Sequence, residues 1–442
     1  MKRNFLRGLL PASLAICLTS SAFAQTTTAE KPIPVDKRYE NEMKALAKNA
    51  AVKQAFKVIM DLEPQTHQDL ITLTEIPAPP FKEEVRGRKY AEMLRAAGAD
   101  SVWTDAVGNV LSLRKGKNSQ KTVVMEAHLD TVFPEGTDVK VRQNGDTLRA
   151  PGIADDTRGL AMVLQVLKTL EKTGIETEAT VLFIGTVGEE GLGDLRGVKH
   201  LFSENGPKNI DSYIAVDGTG LGTVANRGLG SHRYRITFKG PGGHSSGAFG
   251  LVNPHNALGR AIHYFAVDAD KYTKEGIRAT YNVGVIGGGT SVNSIPFESW
   301  MEVDMRSESP ERVAGLDKLL QAAVQRALQE ENQMKRLGPD LKVDVKLIGD
   351  RPAGGMEPTV ALAQRALAAT RHLGTEPTLR VGSTNSNIPF SKGVPAVTIG
   401  SGGSGGGAHA LEEWFVPKNT YLGTQRALLL LLAEAGIAKG KK

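Results

Sequence analysis

Seven acidic or imidazole side chains of this sequence stand where they could hold metal ions. His128 and Asp130 close the stretch VVMEAHLD, Glu189 and Glu190 close VLFIGTVGEE, Asp217 follows SYIAV, and His409 lies beyond PAVTIG and a glycine-rich loop. Asp155, in PGIADD, comes just before the apolar-periodic segment GLAMVLQVLKTLEKTG. Brought together, Asp155, Glu190 and Asp217 carry three negative charges that repel unless something cationic separates them. Two divalent ions do so, because three carboxylates and a bridging hydroxide balance their four positive charges while His128 and His409 add neutral donors. Imidazole and carboxylate donors without thiolate suit zinc, cobalt or manganese better than calcium or a redox cluster.

The elements that must position these groups follow from the flanking residues. The short Val- and Ile-rich runs predict buried strands of a parallel sheet, and in open α/β sheets ligands collect at the carboxyl ends of the strands. The segment after Asp155 predicts a helix closed by Gly174, with Asp156 as its N-cap. Between about Leu229 and Arg351 the pattern changes to strand (SHRYRITFKG), helix (from Asn253 to Asp268), strand (TYNVGVIGG), strand (SWMEVDMRS), helix (from Pro310 to about Met334) and strand (LKVDVKLIGD). That β-α-β-β-α-β order is the ferredoxin-like plan. It interrupts a sheet whose last donor, His409, comes only after it. The stretch SGGSGGG before His409 predicts a flexible loop. His67, His200, His232, His255, His263 and His372 match no motif and count as ordinary surface or core residues.

At 442 residues the chain is long enough to bury two cores. Its opening, MKRNFLRGLLPASLAICLTSSAFA, has the basic start, apolar middle and small-residue end of a secretory signal cleaved before Gln25. The one cysteine, Cys17, leaves with that signal, so no disulfide is expected in the mature protein. The formal net charge of +6 is an end effect: Lys2, Arg3 and Arg7 at the start and Lys439, Lys441 and Lys442 at the end account for it. Neither nucleic acid nor a membrane surface is called for, and no later segment is long and apolar enough to span a bilayer.

The motifs HLDT from His128, GIADD from Gly152, GEEG from Gly188, VDGT from Val216, GPGGHSS from Gly240 and GAHALEEW from Gly407 occur in that order between about Thr66 and Ala433. The ordered set resembles the M20 metallopeptidases, the family of carboxypeptidase G2, peptidase T, the DapE desuccinylase and the aminoacylases. The resemblance implies an α/β fold of two domains, the zinc-exopeptidase fold. Residues 1–24 are then a signal peptide, 25–64 a helical leader, 65–228 and 352–442 a catalytic domain in two segments, and 229–351 an inserted ferredoxin-like lid through which two copies dimerise. It further implies that Asp155 bridges two ions, with Glu190 and His409 completing one site and His128 and Asp217 the other. Asp130 would orient the His128 ring, and Glu189 would be the general base. The bond after the bridging aspartate, here Asp155–Asp156, would be cis.

On the lid, His244, Asn293, Arg306 and Arg351 match positions that hold a substrate carboxylate or polarise its carbonyl, tasks suited to an arginine fork and to neutral hydrogen-bond donors. One departure is Asn385 in GSTNSNIP, where many relatives have aspartate. The resemblance thus implies a secreted, periplasmic two-zinc exopeptidase acting on short peptides, or alternatively a deacylase of N-acyl amino acids with the same metal residues. A ligand-binding relative without catalysis would have no need of Glu189.

Overall fold

The computed structural model describes residues 34–117, 120–207 and 209–438, so the signal expected over residues 1–24 lies outside the described residues. Nine strands form a mixed sheet. At its centre Thr180–Thr186, Thr122–His128, Ile210–Val216 and Ala396–Ile399 lie side by side and parallel. Thr122–His128 and Thr180–Thr186 are buried in all but their first residues, Ile210–Val216 in all but its first two, and Ala396–Ile399 throughout. This is what Val- and Ile-rich runs become when both faces of a sheet are covered. The register aligns His128 with Thr186 and Val216 with Ile399. Four chain segments therefore leave the sheet at one edge, and the loops that carry Glu189, Asp217 and His409 start there.

The helix Arg158–Thr173 fills one face of this sheet and is buried along nearly its whole length. It ends at Gly174 in the left-handed conformation, as the sequence predicts. Against it pack the helix Ala50–Thr74 and the leucine-rich helix Tyr421–Ala435. The helix Ala50–Thr74 runs through position 64 without a break, so no domain boundary falls there. It is tied to the sheet domain by Gln165, whose amide donates to the Ile59 carbonyl and to Glu63. Lys37–Lys48 likewise packs on the helix Ala361–His372, where Arg365 pairs with Glu42.

Residues 230–351 form a second α/β layer. Gly230–Lys239, Ala279–Gly288, Glu298–Ser307 and Lys342–Arg351 build a four-stranded antiparallel sheet. The first and third of these strands are central, and the second and fourth lie at the edges, which is the ferredoxin-like arrangement. The helices Pro254–Thr273 and Pro310–Met334 cover one face, and Phe238, Phe265, Met301, Met305, Leu316 and Leu320 fill a core separate from that of the larger sheet. The molecule is thus a two-domain α/β fold. A third sheet, small and antiparallel, joins Arg142–Asn144, Thr147–Arg149, Trp414–Val416 and Ser404–Gly406. The expectation of a flexible SGGSGGG loop is corrected here: Ser404–Gly406 is a strand, and a side chain at Gly405 or Gly406 would collide with Trp414.

Within the smaller domain the His232 ring lies between Asp350, at 3.4 Å, and Asp317, at 3.8 Å. The hydrogen bond to Asp350 raises the His232 pKa above its ordinary value against the opposing effect of partial burial. A folded-state pKa above the unfolded value contributes stability that is complete below the unfolded pKa and disappears as pH rises through the folded one. Wild-type protein should therefore lose denaturation midpoint relative to His232→Gln as pH increases from about 6.5. Urea melts of both proteins from pH 5.5 to 9 test this, and a difference that stays constant with pH would refute it.

Candidate metal centre

The five donors meet at the sheet edge in two sets that share one residue. His128, Asp155 and Asp217 form the first, and Asp155, Glu190 and His409 the second; within each, the donor atoms lie no more than 4.8 Å from one another. The Asp155 carboxylate divides between them, Oδ1 lying 3.1 Å from His128 Nε2 and Oδ2 3.2 Å from His409 Nε2. His409 Nε2 is also 2.9 Å from Glu190 Oε1. His409 reaches this position with φ of +67°, a left-handed conformation uncommon outside glycine. The Asp155–Asp156 peptide bond is cis.

Electrostatics account for the arrangement. Burial pushes the Asp217 carboxyl up to about 7, and the nearby Asp155 charge adds to that. Burial likewise raises the Glu189 carboxyl well above the ordinary carboxylate range, with Arg351 opposing it and Glu190 reinforcing it. His409, bonded to Asp155 and Glu190, is raised to about 10. Without a cation, the acids of this cluster must hold protons or the imidazoles must become charged. Dications relieve both, and they fit the donors present: nitrogen and oxygen atoms in two clusters, with bond lengths of about 2.0–2.2 Å that place neighbouring ligands within the observed spacing.

The surrounding residues hold these groups through the backbone. Asp130 is fully buried. Its carboxylate accepts from the N–H groups of Glu189 at 3.0 Å and Glu190 at 2.8 Å, fixing the turn that carries both glutamates. The His128 ring is oriented mainly by the Asp130 carbonyl, 2.9 Å from Nδ1, while the carboxylate stands 3.7 Å away. Asp156 does not cap the following helix. It is buried and accepts the His128 N–H at 3.1 Å. The sequence reading assigned no role to Glu413, which is fully buried and accepts from the N–H groups of Gly152, Ala154 and Asp155 at 2.8, 2.7 and 2.9 Å. The one signal for it was its place in the motif GAHALEEW.

Glu189 lies beside the donors, its carboxylate within 4.8 Å of ligand atoms of His128 and Glu190. Arg351 is buried against it, with Nη1 3.2 Å from Glu189 Oε1 and Nη2 donating to the Glu189 carbonyl. Arg306 is spent elsewhere, its Nε donating to Asp304 at 2.7 Å on the same strand. His244 and Asn293 adjoin each other where Gly243–His244 pairs with Ser294–Ile295. Both are exposed, and their side-chain hydrogen bonds go to Ser246 and Gly247 and to Ser291, near them on the smaller domain. His244 Nδ1 accepts from the N–H groups of Ser246 and Gly247 at 3.3 and 3.2 Å, which leaves the ring proton on Nε2. Asn385 is buried below the cluster and donates to Glu126 at 3.0 Å and to Thr186 at 2.9 Å.

Comparison with known proteins places this geometry in context. The model of Peptidase family M20/M25/M40 matches residues 124–433. Uncharacterized protein YqjE of Bacillus subtilis (strain 168) is 26% identical over 305 residues, 67% of this chain and 76% of YqjE. Carboxypeptidase G2 of Pseudomonas sp. (strain RS-16) is 27% identical over 251 residues, 55% of this chain and 56% of that protein. Among solved structures, a tripeptidase of Staphylococcus aureus shares the fold with a TM-score of 0.67 at 22% identity, covering 84% of this chain and 98% of its own.

Glu413 offers a test of how the Asp155 loop is held. Glu413→Leu strands two buried N–H donors and a third that is partly buried, and a buried donor left unpaired costs about 1–3 kcal/mol. The variant should unfold at clearly lower denaturant than wild type and retain metal less well after dialysis, while Glu413→Gln, whose amide oxygen still accepts, should lose less. Equal midpoints for wild type and the Leu variant would show that Glu413 does not support the loop.

Proposed function

The chain belongs to Peptidase family M20/M25/M40, a family of metal-dependent hydrolases of peptide and amide bonds, and from that footing we propose that it is a secreted di-zinc exopeptidase acting on short peptides. The observation that carries this reading is the pair of three-donor sets sharing Asp155, with Glu189 beside them. In this reading His128 and Asp217 would hold one zinc ion and Glu190 and His409 the other, with Asp155 shared between them; cobalt or manganese would suit the same donors. Two such ions supply Lewis-acid polarisation of the scissile carbonyl and acidify water toward neutrality.

This chain's own residues supply the rest. Glu189, its carboxyl raised by burial, takes a proton from the attacking water and passes it to the leaving nitrogen. Asp130 holds the Glu189–Glu190 turn by its two backbone N–H groups. Arg351 is placed to exchange its bond with Glu189 for the carboxylate of an arriving substrate, an exchange for which its planar fork is suited. A peptide substrate agrees with the name of the relative carboxypeptidase G2. The sequence over Met1–Ala24 supports export, and intact mass of the protein from its source should begin at or near Gln25; a retained Met1 would refute secretion by this route.

Chelation should abolish hydrolysis. Glu189→Gln should keep its metal, because it loses a proton acceptor and no ligand, yet slow turnover by about two to four orders of magnitude. Full activity in that variant, or reconstitution to well under two ions per chain, would sink the mechanism. A panel of dipeptides against N-acetyl amino acids separates a peptidase from a deacylase.

His244 is exposed on the smaller domain, with Nδ1 engaged by Ser246 and Gly247 and Nε2–H left to donate. We assign it to the partner site of a homodimer formed through that domain, where it stabilises the tetrahedral oxyanion. Mixing inactive His244→Ala with inactive Glu189→Gln under conditions of subunit exchange builds heterodimers with one intact site, so activity should return. No recovery despite demonstrated exchange, or an active monomer in sedimentation, would remove His244 from this role.

A further inference from the structure

Three residues past Asp155, the side chain of Arg158 lines a cavity of about 150 Å³ between the helix Ala50–Thr74 and the segment that follows Phe415. Arg158 is only 2% exposed, and neither its Nε nor its Nη2 has a hydrogen-bond partner. Burial lowers its pKa to about 10 against the opposing charges of Glu63 and Asp156, so the side chain is still a cation at neutral pH. The acid in the cavity wall, Glu63, is engaged elsewhere: Oε1 accepts from Gln165 at 2.9 Å, and Oε2 accepts from the Thr420 hydroxyl. Thr424 holds Gln165 in turn, at 2.7 Å, which fixes Glu63 in that orientation. Leu70, Pro417 and the Phe415 ring, 6.0 Å from Arg158 Cζ, give the wall an apolar part, Thr66 adds a hydroxyl that donates to the Leu62 carbonyl, and His67 adds a half-buried imidazole.

A guanidinium so enclosed is costly unless something pairs with it, and its planar fork matches two oxygens of one anion. We propose that this cavity binds a small oxyanion, held by Arg158 in bidentate fashion and bounded by Leu70 and Phe415. The volume has room for a handful of heavy atoms, which suits phosphate or a short carboxylate and excludes a peptide. The site uses none of the five metal donors and stands whether or not the proposed peptidase activity does.

Selenate, a phosphate-sized oxyanion with an anomalous X-ray signal, tests this on crystals of the metal-loaded protein. Wild type should show a selenium peak within hydrogen-bonding distance of Arg158, separate from any at the metal centre. Added phosphate or added acetate should reduce that peak, and whichever acts at lower concentration identifies the tetrahedral or the carboxylate ligand. Arg158→Met should lose this peak alone. Should that variant not fold, Arg158→Lys, which keeps the charge but not the fork, should show the peak weakened. Wild-type crystals with selenate at the metal centre only, or with Glu63 turned onto Arg158, would overturn the proposal, as would a full peak in Arg158→Met.

Discussion

Four carboxylates, those of Asp155, Glu189, Glu190 and Asp217, are gathered with two imidazoles at one edge of the parallel centre of a mixed sheet, and their mutual repulsion is the constraint on which the surrounding structure depends. Covalent geometry alone does not gather them. The strands Thr122–His128, Thr180–Thr186, Ile210–Val216 and Ala396–Ile399 end in register, and the loops beyond them have no choice but to share one space. Two further acids then stabilise the loops without adding free charge to the cluster. Asp130 spends its oxygens on the N–H groups of Glu189 and Glu190, and Glu413 spends its own on three N–H groups around Asp155. Each charge needed for position is thus neutralised by backbone dipoles, which leaves the inner carboxylates for cations.

The smaller domain enters this balance through one residue. Arg351 ends the strand Lys342–Arg351, the last of the antiparallel sheet, and its guanidinium lies on Glu189. A shift of the smaller domain must therefore stretch or break that contact, because Arg351 belongs to its last strand. Two other bonds span the same seam, from Arg233 to the Gly191 carbonyl at 3.1 Å and from the Asp350 N–H to Asp194 at 2.9 Å. All three land within six residues on the larger domain, from Glu189 to Asp194. Arg351 Nη1 also donates to the Ser383 hydroxyl at 3.1 Å, so movement of the smaller domain bears on the turn that carries Glu189 and Glu190 and on the Ser383 loop together.

Much of this was legible in the sequence, and the reasons differ by residue. Buried parallel strands leave continuous Val and Ile runs, so the segments that deliver His128, Glu189, Asp217 and His409 could be placed from composition. Ferredoxin-like order was legible because amphipathic helices and alternating strands differ in period. What escaped depends on contacts between distant segments. Nothing local says that Glu413 turns back to the Asp155 loop, some 260 positions earlier, or that Arg351 meets Glu189 and not solvent. Asp156 was mistaken for a helix cap because an acid before a helix usually is one; here burial and the His128 N–H claim it. The glycines of SGGSGGG signalled flexibility, yet they serve close packing against Trp414 and Phe415.

Asn385 shows how a departure in one motif is explained by a residue outside it. The Asn385 side chain is buried and faces Glu126 and Thr186. Glu126 lies two residues before His128 and so on the same face of its strand, one pleat below the donor cluster. Burial raises its carboxyl to about 7, against the hydrogen bonds it accepts from Thr186 and Asn385. An aspartate at position 385 would set a second acid against it with neither able to donate when ionised, whereas the Asn385 amide donates to both Glu126 and Thr186. The identity of residue 385 is therefore tied to the acid at 126, and the pair braces the strand that presents His128 from within the sheet. A substitution at either position should be judged with the other, since a buried polar pair is costly chiefly when one member is left without its partner.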